Sequence, residues 1–177
     1  MKGDLPRWAI VSEKRRAHIE RVVSLLDEWA QKMDLPASET EAWLDAGWWH
    51  DALRDADETT LRAITGDLER PTSMLHGLAA AERLADEGET RRDVLEAVRW
   101  HTFGHADWSR AGRALYMADS LEPGRQFMQA DRAFLASIVP NAFDAVFRQV
   151  VRMRIEWTVR EGKALAVETV GLWNSLR

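Results

Sequence analysis

The chain has 177 residues, with 24 basic and 29 acidic side chains, a formal net charge of −5 and no cysteine. This length predicts a single domain with a sizeable core. The negative charge argues against a general affinity for nucleic acid or anionic membranes. The lack of cysteine excludes disulfides, thiolate metal sites and thiol nucleophiles.

Membrane and export signals are not expected. No apolar run approaches the roughly 20 residues of a membrane helix, and Met1–Pro6 lacks the apolar core of a signal peptide. We therefore predict a cytoplasmic protein without a membrane or nucleic-acid partner. A homodimer stays open.

Apolar residues recur with a period near 3.6 through most of the chain, which predicts helices. Ser12 is the predicted cap of the first helix. A capping box, Ser38–Glu41, predicts the start of the second helix. Asp57 is expected to cap a short third helix that ends at Gly66.

The middle of the chain alternates predicted helices with breaks. The polar stretch 67–73 predicts a loop, and the helix after it ends around Gly88. A second capping box, Thr90–Asp93, opens a helix whose end Gly104 marks. One more helix breaks at Leu121–Gly124.

In the last third, Asn141–Asp144 predicts the start of a long helix that ends at Gly162. A final helix reaches Leu176. No alternation is long enough to predict a strand. The fold class is therefore predicted to be all-α, a single-domain helical bundle of about seven or more helices.

Four of the five histidines lie on the apolar faces of four separate predicted helices: His18, His50, His76 and His101. A single inward histidine is usually a core residue with a hydrogen-bond partner, and that alternative applies to each of them. Four unpaired imidazoles in one core would cost about 1–3 kcal/mol each. A shared metal would remove that cost.

Two carboxylates complete the candidate site. Asp51 directly follows His50 on a helix end, and Asp119 lies on an inward face. Imidazole and carboxylate together suit Mn, Fe, Co, Ni or Zn better than Mg or Ca. Six ligands exceed what one catalytic metal usually takes from a protein, so a two-metal site with a bridging aspartate accommodates them.

Charged residues nearby are candidates for substrate contacts. Arg54 follows Asp51 by three residues, so its planar guanidinium can clamp a phosphate in the same cleft. Arg125 is a weaker candidate of the same kind. His105 lies past a helix end as a surface or substrate-facing residue. The alternative for each arginine is a solvated surface charge.

The order of these residues resembles the HD-domain metal-dependent phosphohydrolases and, within them, the YqeK-like symmetrical diadenosine tetraphosphate hydrolases. The local matches are His50-Asp51-Ala52-Leu53-Arg54, Leu75-His76-Gly77, Ala97 to Gly104 and Tyr116 to Arg125. The last of these is the most discriminating. The resemblance covers roughly 12–177, which leaves 1–11 as an N-terminal extension.

The resemblance implies an HD-type helical fold and two divalent transition-metal ions, iron or alternatively manganese. One ion would be held by His18, His50, Asp51 and Asp119. The other would be held by His76 and His101, with Asp51 bridging. The candidate catalytic residues are Asp51, Arg54 and Asp119. The candidate substrate-binding residues are Arg54, Thr102, His105, Glu122 and Arg125.

The implied reaction splits a dinucleoside tetraphosphate, diadenosine tetraphosphate, at its central anhydride into two nucleoside diphosphates (ADP). The chain departs from the family pattern in two ways: Arg54 stands where lysine is usual, and His105 and Asp107 change the loop after Gly104. Two alternatives stay open. One is an HD-type nucleotidase or nucleoside-triphosphatase on simpler phosphates, and the other is a non-catalytic nucleotide-binding sensor.

Overall fold

The structure, a computed structural model, describes residues 4–176. These residues form eight α-helices and a short 3₁₀ turn at Thr72–Met74. The helices are α1 (Glu13–Lys32), α2 (Ala37–Trp49), α3 (Glu58–Thr65), α4 (His76–Asp86), α5 (Arg92–Trp100), α6 (Arg110–Leu121), α7 (Gln129–Arg160) and α8 (Val167–Ser175). The all-α prediction is confirmed. No helix in this part of the chain is long and apolar enough to cross a membrane.

Helix α6 is the centre of the bundle, since ten of its twelve residues are buried. Helices α1, α2, α5 and α7 pack around it. Large side chains fill the space between them, among them Trp29, Trp43, Tyr116 and Phe147. Helix α4 packs against α5, and Gly77 of α4 lies close to the Val98 carbonyl and the His101 ring. The inward faces of these helices carry the candidate site.

Two of the predicted caps are confirmed. The Ser12 side chain accepts a hydrogen bond from the Arg15 N–H at the start of α1. The Asp57 side chain accepts one from the Thr60 N–H at the start of α3. Gly66 ends α3 with φ 67°, a left-handed conformation that glycine adopts without strain.

The two predicted capping boxes are wrong. Helix α2 begins directly after Pro36, before the Ser38–Glu41 box, and has no side-chain cap. Proline suits a helix start because its φ is fixed and its missing N–H is not needed there. At Thr90–Asp93 the N-cap is Arg91, without a side-chain cap bond. The Arg91 N–H instead donates to Glu89, at 2.8 Å.

The predicted helix start at Asn141–Asp144 lies inside α7, which begins at Gln129 and is kinked at Ala142 (φ −143°, ψ 40°). Pro140 has no N–H to donate to the carbonyl of Ala136, four residues earlier. The Trp29 indole N–H donates to that carbonyl instead, at 2.9 Å. The predicted helix start is therefore wrong, and that segment adjoins the kink inside α7.

The segment before α1 packs against the turn that follows α2. The Ile10 N–H donates to the Ala52 carbonyl at 2.8 Å, and the Asp55 N–H donates to the Ile10 carbonyl at 3.3 Å. Ser12 donates its N–H and its hydroxyl to the Asp55 carboxylate, each at 2.8 Å. These bonds hold the turn that carries Asp51. A domain boundary at residue 12 stays a prediction.

Candidate metal centre

The four histidines of the sequence analysis meet around the carboxylate of Asp51 and are buried with it. Asp51 Oδ2 lies 3.6 Å from Nε2 of both His18 and His50. Asp51 Oδ1 lies 3.1 Å from His76 Nε2 and 3.4 Å from His101 Nε2. Each oxygen of one carboxylate therefore faces its own pair of histidines. The first metal-ligand group is His18, His50 and Asp51, and the second is Asp51, His76 and His101.

Three of the four rings lie at helix ends and are oriented by backbone carbonyls. His50 and His101 are the C-cap residues of α2 and α5, and His76 is the first residue of α4. Each Nδ1 bonds the backbone carbonyl three residues earlier, at 2.7, 2.7 and 3.1 Å respectively. Because a carbonyl only accepts, Nδ1 carries the proton and Nε2 presents a lone pair.

His18 is oriented by Glu122 instead. His18 Nδ1 donates to Glu122 at 3.1 Å, and the same carboxylate accepts from Arg21 at 2.5 Å and from the Gly124 N–H at 2.6 Å. Burial raises the pKa of Glu122, but the bonds from His18 and Arg21 outweigh it, and the pKa falls to about 2. A charged partner of this kind fixes the tautomer of a metal-binding histidine.

A role of Glu122 in substrate binding stays a prediction. Its side chain is 2% exposed and its oxygens already accept three hydrogen bonds. A buried, charged carboxylate would also repel a phosphate. In the structure Glu122 positions His18.

The Nε2 atoms of the four histidines lie inside the two ligand groups, close to the Asp51 carboxylate. Within residues 4–176, Nε2 of His18 and of His50 are buried without a hydrogen-bond partner. Nε2 of His76 and of His101 are 3.0 Å apart. Burial lowers the pKa of His50 to about 4 and also lowers the pKa of His76, so both rings are neutral at pH 7. Positive charge between these atoms would relieve their repulsion.

The spacing and the donor types fit transition-metal ions. Two donors that each lie about 2.0–2.2 Å from one ion are roughly 3.0–3.6 Å apart at ordinary coordination angles, and the distances around Asp51 fall in that range. Burial raises the pKa of Asp51, but His50 and His101 outweigh it and hold the pKa well below its usual range. An anionic carboxylate with imidazoles favours Mn, Fe, Co, Ni or Zn.

Asp119 lies beside the first group but is not part of it. Its Oδ1 is 3.2 Å from His18 Nε2. The same oxygen pairs with Arg125. Burial raises the pKa of Asp119, whereas Arg125 and His18 hold it well below its usual range. Ligation by Asp119 stays a prediction.

The predicted phosphate-binding residues fall into different settings. The Arg125 guanidinium donates to the backbone carbonyl of Asp119 and to the Asp119 carboxylate. In this state Arg125 therefore neutralises that carboxylate. The half-buried Arg54 side chain has no hydrogen bond or ion pair to any described residue. Burial is the main cause of the lowered pKa of His76, and the positive charge of nearby Arg54 lowers that pKa further. Arg54 is therefore free to meet an anion.

The other two predicted substrate contacts, Thr102 and His105, lie in different surroundings. Thr102 Oγ1 lies 3.3 Å from His101 Nε2 and 3.5 Å from His76 Nε2, at the edge of the second group. His105 stacks on Trp100, with ring centroids 5.5 Å apart. No described contact joins His105 to the metal-ligand groups, so a substrate-facing role stays a prediction.

Sequence reasoning missed two arginines. Arg15 Nη1 donates to Asp51 Oδ2 at 2.7 Å. Arg15 precedes His18 by three residues, so the shared helix face was a usable signal. Arg154 lies 3.5 Å from Asp119 Oδ2 and donates to the Thr102 carbonyl at 2.9 Å. No local motif marks Arg154, because only the packing of α7 against α6 brings it to the site.

Gly77→Ala tests how tightly the second group is packed. An added Cβ would lie 2.8 Å from the Val98 carbonyl and 2.9 Å from two atoms of the His101 ring. We expect overpacking to lower stability by about 1–3 kcal/mol and to displace His101. Thermal unfolding and metal analysis should show a lower melting temperature and loss of about one ion per chain.

Gly171→Ala is the matched control. Gly171 is also helical, and a Cβ there meets nothing within 4 Å. This substitution should leave the metal content unchanged and raise stability by about 0.4–1 kcal/mol. If Gly77→Ala behaved like this control, the close packing of α4 on His101 would be incorrect.

Comparison with known proteins adds an independent finding. A family model described as the HD domain matches residues 15–133. A protein named bis(5'-nucleosyl)-tetraphosphatase, symmetrical, from Halalkalibacterium halodurans is 30% identical over 139 residues, which cover 74% of this chain and 73% of that protein. A protein of the same name from Staphylococcus aureus is 28% identical over 170 residues, covering 92% and 86% respectively.

A solved structure is similar in fold. It is described as that of a predicted HD superfamily hydrolase involved in NAD metabolism from Clostridium acetobutylicum. The TM-score is 0.78 and the identity 24%, and the match covers 94% of this chain and 90% of the other. At that identity the likeness establishes the arrangement of helices alone.

Proposed function

The chain belongs to the HD-domain family of hydrolases, and from this premise we propose that it hydrolyses dinucleoside tetraphosphates symmetrically, splitting diadenosine tetraphosphate into two ADP. The observation that carries the proposal is the shared carboxylate of Asp51, whose two oxygens each face a separate pair of histidines. The names of the two relatives support the choice of substrate.

Each metal position has its own ligands in this proposal. His18, His50 and Asp51 would hold one ion, with Asp119 joining them, and His76, His101 and the other oxygen of Asp51 would hold the second. Iron or manganese fits this donor set. When bound, two such ions neutralise phosphate oxygens and lower the pKa of a water from 15.7 to about 7.

The side chains around this pair would bind and orient the phosphates. Arg54 carries a charge that is not paired with any described residue, and its fork matches two phosphate oxygens. Thr102 can donate its hydroxyl at the edge of the second group. Arg15 would balance the charge of Asp51, which it already contacts at 2.7 Å. These groups would hold the central anhydride in place for attack.

The reaction consumes one water. Its oxygen bonds to one of the two central phosphorus atoms, and the bond from that phosphorus to the bridging oxygen breaks. The bridging oxygen leaves with the other half, and the water's protons are shared between products and solvent. Attack at either central phosphorus gives two nucleoside diphosphates, so the products do not depend on which one is attacked.

A substrate panel separates this proposal from its rivals. The metal-loaded protein should hydrolyse diadenosine tetraphosphate with a kcat/KM at least about tenfold above that for ATP or AMP. Brisk monophosphatase or triphosphatase activity with inertness toward the tetraphosphate would favour a simpler nucleotidase. A chain that binds nucleotides but turns over none of them would be a sensor.

Arg54→Ala should lower kcat/KM for diadenosine tetraphosphate by about 10- to 100-fold, because a hydrogen bond to a charged group contributes about 1.5–3 kcal/mol. Metal content should not change, since Arg54 is not a ligand. Steady-state kinetics with metal analysis measures both. Arg54→Lys, which keeps the charge without the fork, should recover part of the loss. Wild-type kinetics in the alanine variant would remove Arg54 from the phosphate site.

A further inference from the structure

A cavity of about 420 Å³ opens beside the candidate metal centre, and neither pair of histidines lines it. It lies between the end of α6, the segment 122–128 and the later part of α7. Asp119 and Arg125 form one wall, and Trp157 and Arg160 belong to the α7 wall. Its volume falls within the range of about 300–1,000 Å³ that is typical of small-molecule sites.

The cavity carries an excess of positive charge. Four arginines line it, against two acidic residues, Asp119 and Glu156. Burial lowers the pKa of Arg132, and the neighbouring guanidinium groups of Arg125 and Arg154 lower it further. Arg160 is exposed and has no hydrogen bond or ion pair to any described residue. Cations gathered in this way favour an anionic ligand.

Apolar side chains stand open beside these charges. Trp157 is 47% exposed and Phe127 is 59% exposed, although both line the cavity. Lys163 Nζ lies 4.3 Å from the centre of the Trp157 ring and covers part of it. A nucleobase stacks on an aromatic ring whichever base it is, and arginines nearby take its phosphates. The cavity therefore offers both an aromatic ring for the base and arginines for the phosphates of a nucleotide.

We propose that this cavity binds one nucleoside diphosphate unit of the substrate, with the base against Trp157 and the phosphates toward Arg125 and Arg132. The inference rests on the proposed function and adds a location for one half of the tetraphosphate. Arg125 is central to it, because this arginine touches both the cavity and Asp119. A diphosphate placed there would extend toward the ligands of the first ion.

Calorimetric titration of the metal-loaded protein with ADP and with inorganic pyrophosphate tests the assignment. Trp157→Ala should weaken ADP binding by about tenfold and leave pyrophosphate binding within about twofold, because pyrophosphate has no base to stack. Trp173→Ala is the matched control, since Trp173 is an exposed tryptophan of α8 that does not line the cavity. It should change neither affinity.

The arginine pair provides a second comparison. Arg160→Ala should weaken ADP binding. Arg148 is an exposed arginine of α7 outside the cavity, so Arg148→Ala should leave ADP binding unchanged. Unchanged ADP affinity in Trp157→Ala, an equal loss of ADP and pyrophosphate, or no ADP binding by the wild-type protein would each overturn the assignment. Because hydrolysis is measured separately, such results alongside production of ADP from the tetraphosphate would leave the proposed function intact.

Discussion

Replacement of Asp51 by alanine should abolish hydrolysis and empty both metal positions. Asp51 is the one residue common to both ligand groups, and its two oxygens contact different histidine pairs. Loss of a single stabilising donor in an active site costs about 10²–10³ in kcat, so loss of a ligand to both ions should cost on the order of 10³ or more. Metal analysis and kinetics of the purified variant measure the effect.

Two further variants separate the metal role from stability. Asp51→Asn keeps the shape but replaces one oxygen with an amide nitrogen, which cannot act as a ligand, so one ion should be retained better than the other. Asp57→Ala removes the cap of α3 and should cost about 1 kcal/mol of stability without loss of metal. Wild-type turnover in Asp51→Ala would show that Asp51 does not bridge.

Removal of metal should have an effect of similar size. A chelator should abolish hydrolysis, and iron or manganese should restore it, while magnesium should not, since imidazole-rich sites disfavour it. The metal-loaded protein should contain up to two ions per chain. Ligands at about 100 times their dissociation constant stabilise by about 2.7 kcal/mol, so the melting temperature should fall by about 5–10 °C on chelation.

The same measurement on Asp51→Ala is the control for chelation. A variant that binds no metal should show no shift in melting temperature when the chelator is added. Full activity of metal-stripped wild-type protein in excess chelator would contradict the account.

The sequence predicted the inward histidines well because helical periodicity fixes which face a residue occupies. The same periodicity places Arg15 beside His18, although that signal was not used. Periodicity does not say which helix lies opposite. Arg154 was missed for this reason, since it reaches Asp119 only through the packing of α7.

Helix boundaries were less predictable than helix faces. At Pro36 the fixed backbone of proline begins α2 before the expected capping serine. At Pro140 the helix continues through a kink, because Trp29 from α1 satisfies the carbonyl that proline leaves free. The predicted role of Glu122 in substrate binding rested on its motif position, which does not say in which direction the side chain lies. In the structure its carboxylate faces His18.

The most direct measurement is the identity of the products formed from diadenosine tetraphosphate in ¹⁸O-labelled water. The account predicts ADP alone, with one labelled oxygen for each bond cleaved and the label on the terminal phosphate. That result requires attack at a central phosphorus with departure of the central bridging oxygen. Formation of ATP and AMP would contradict this expectation, because an outer anhydride would then have been broken in place of the central one.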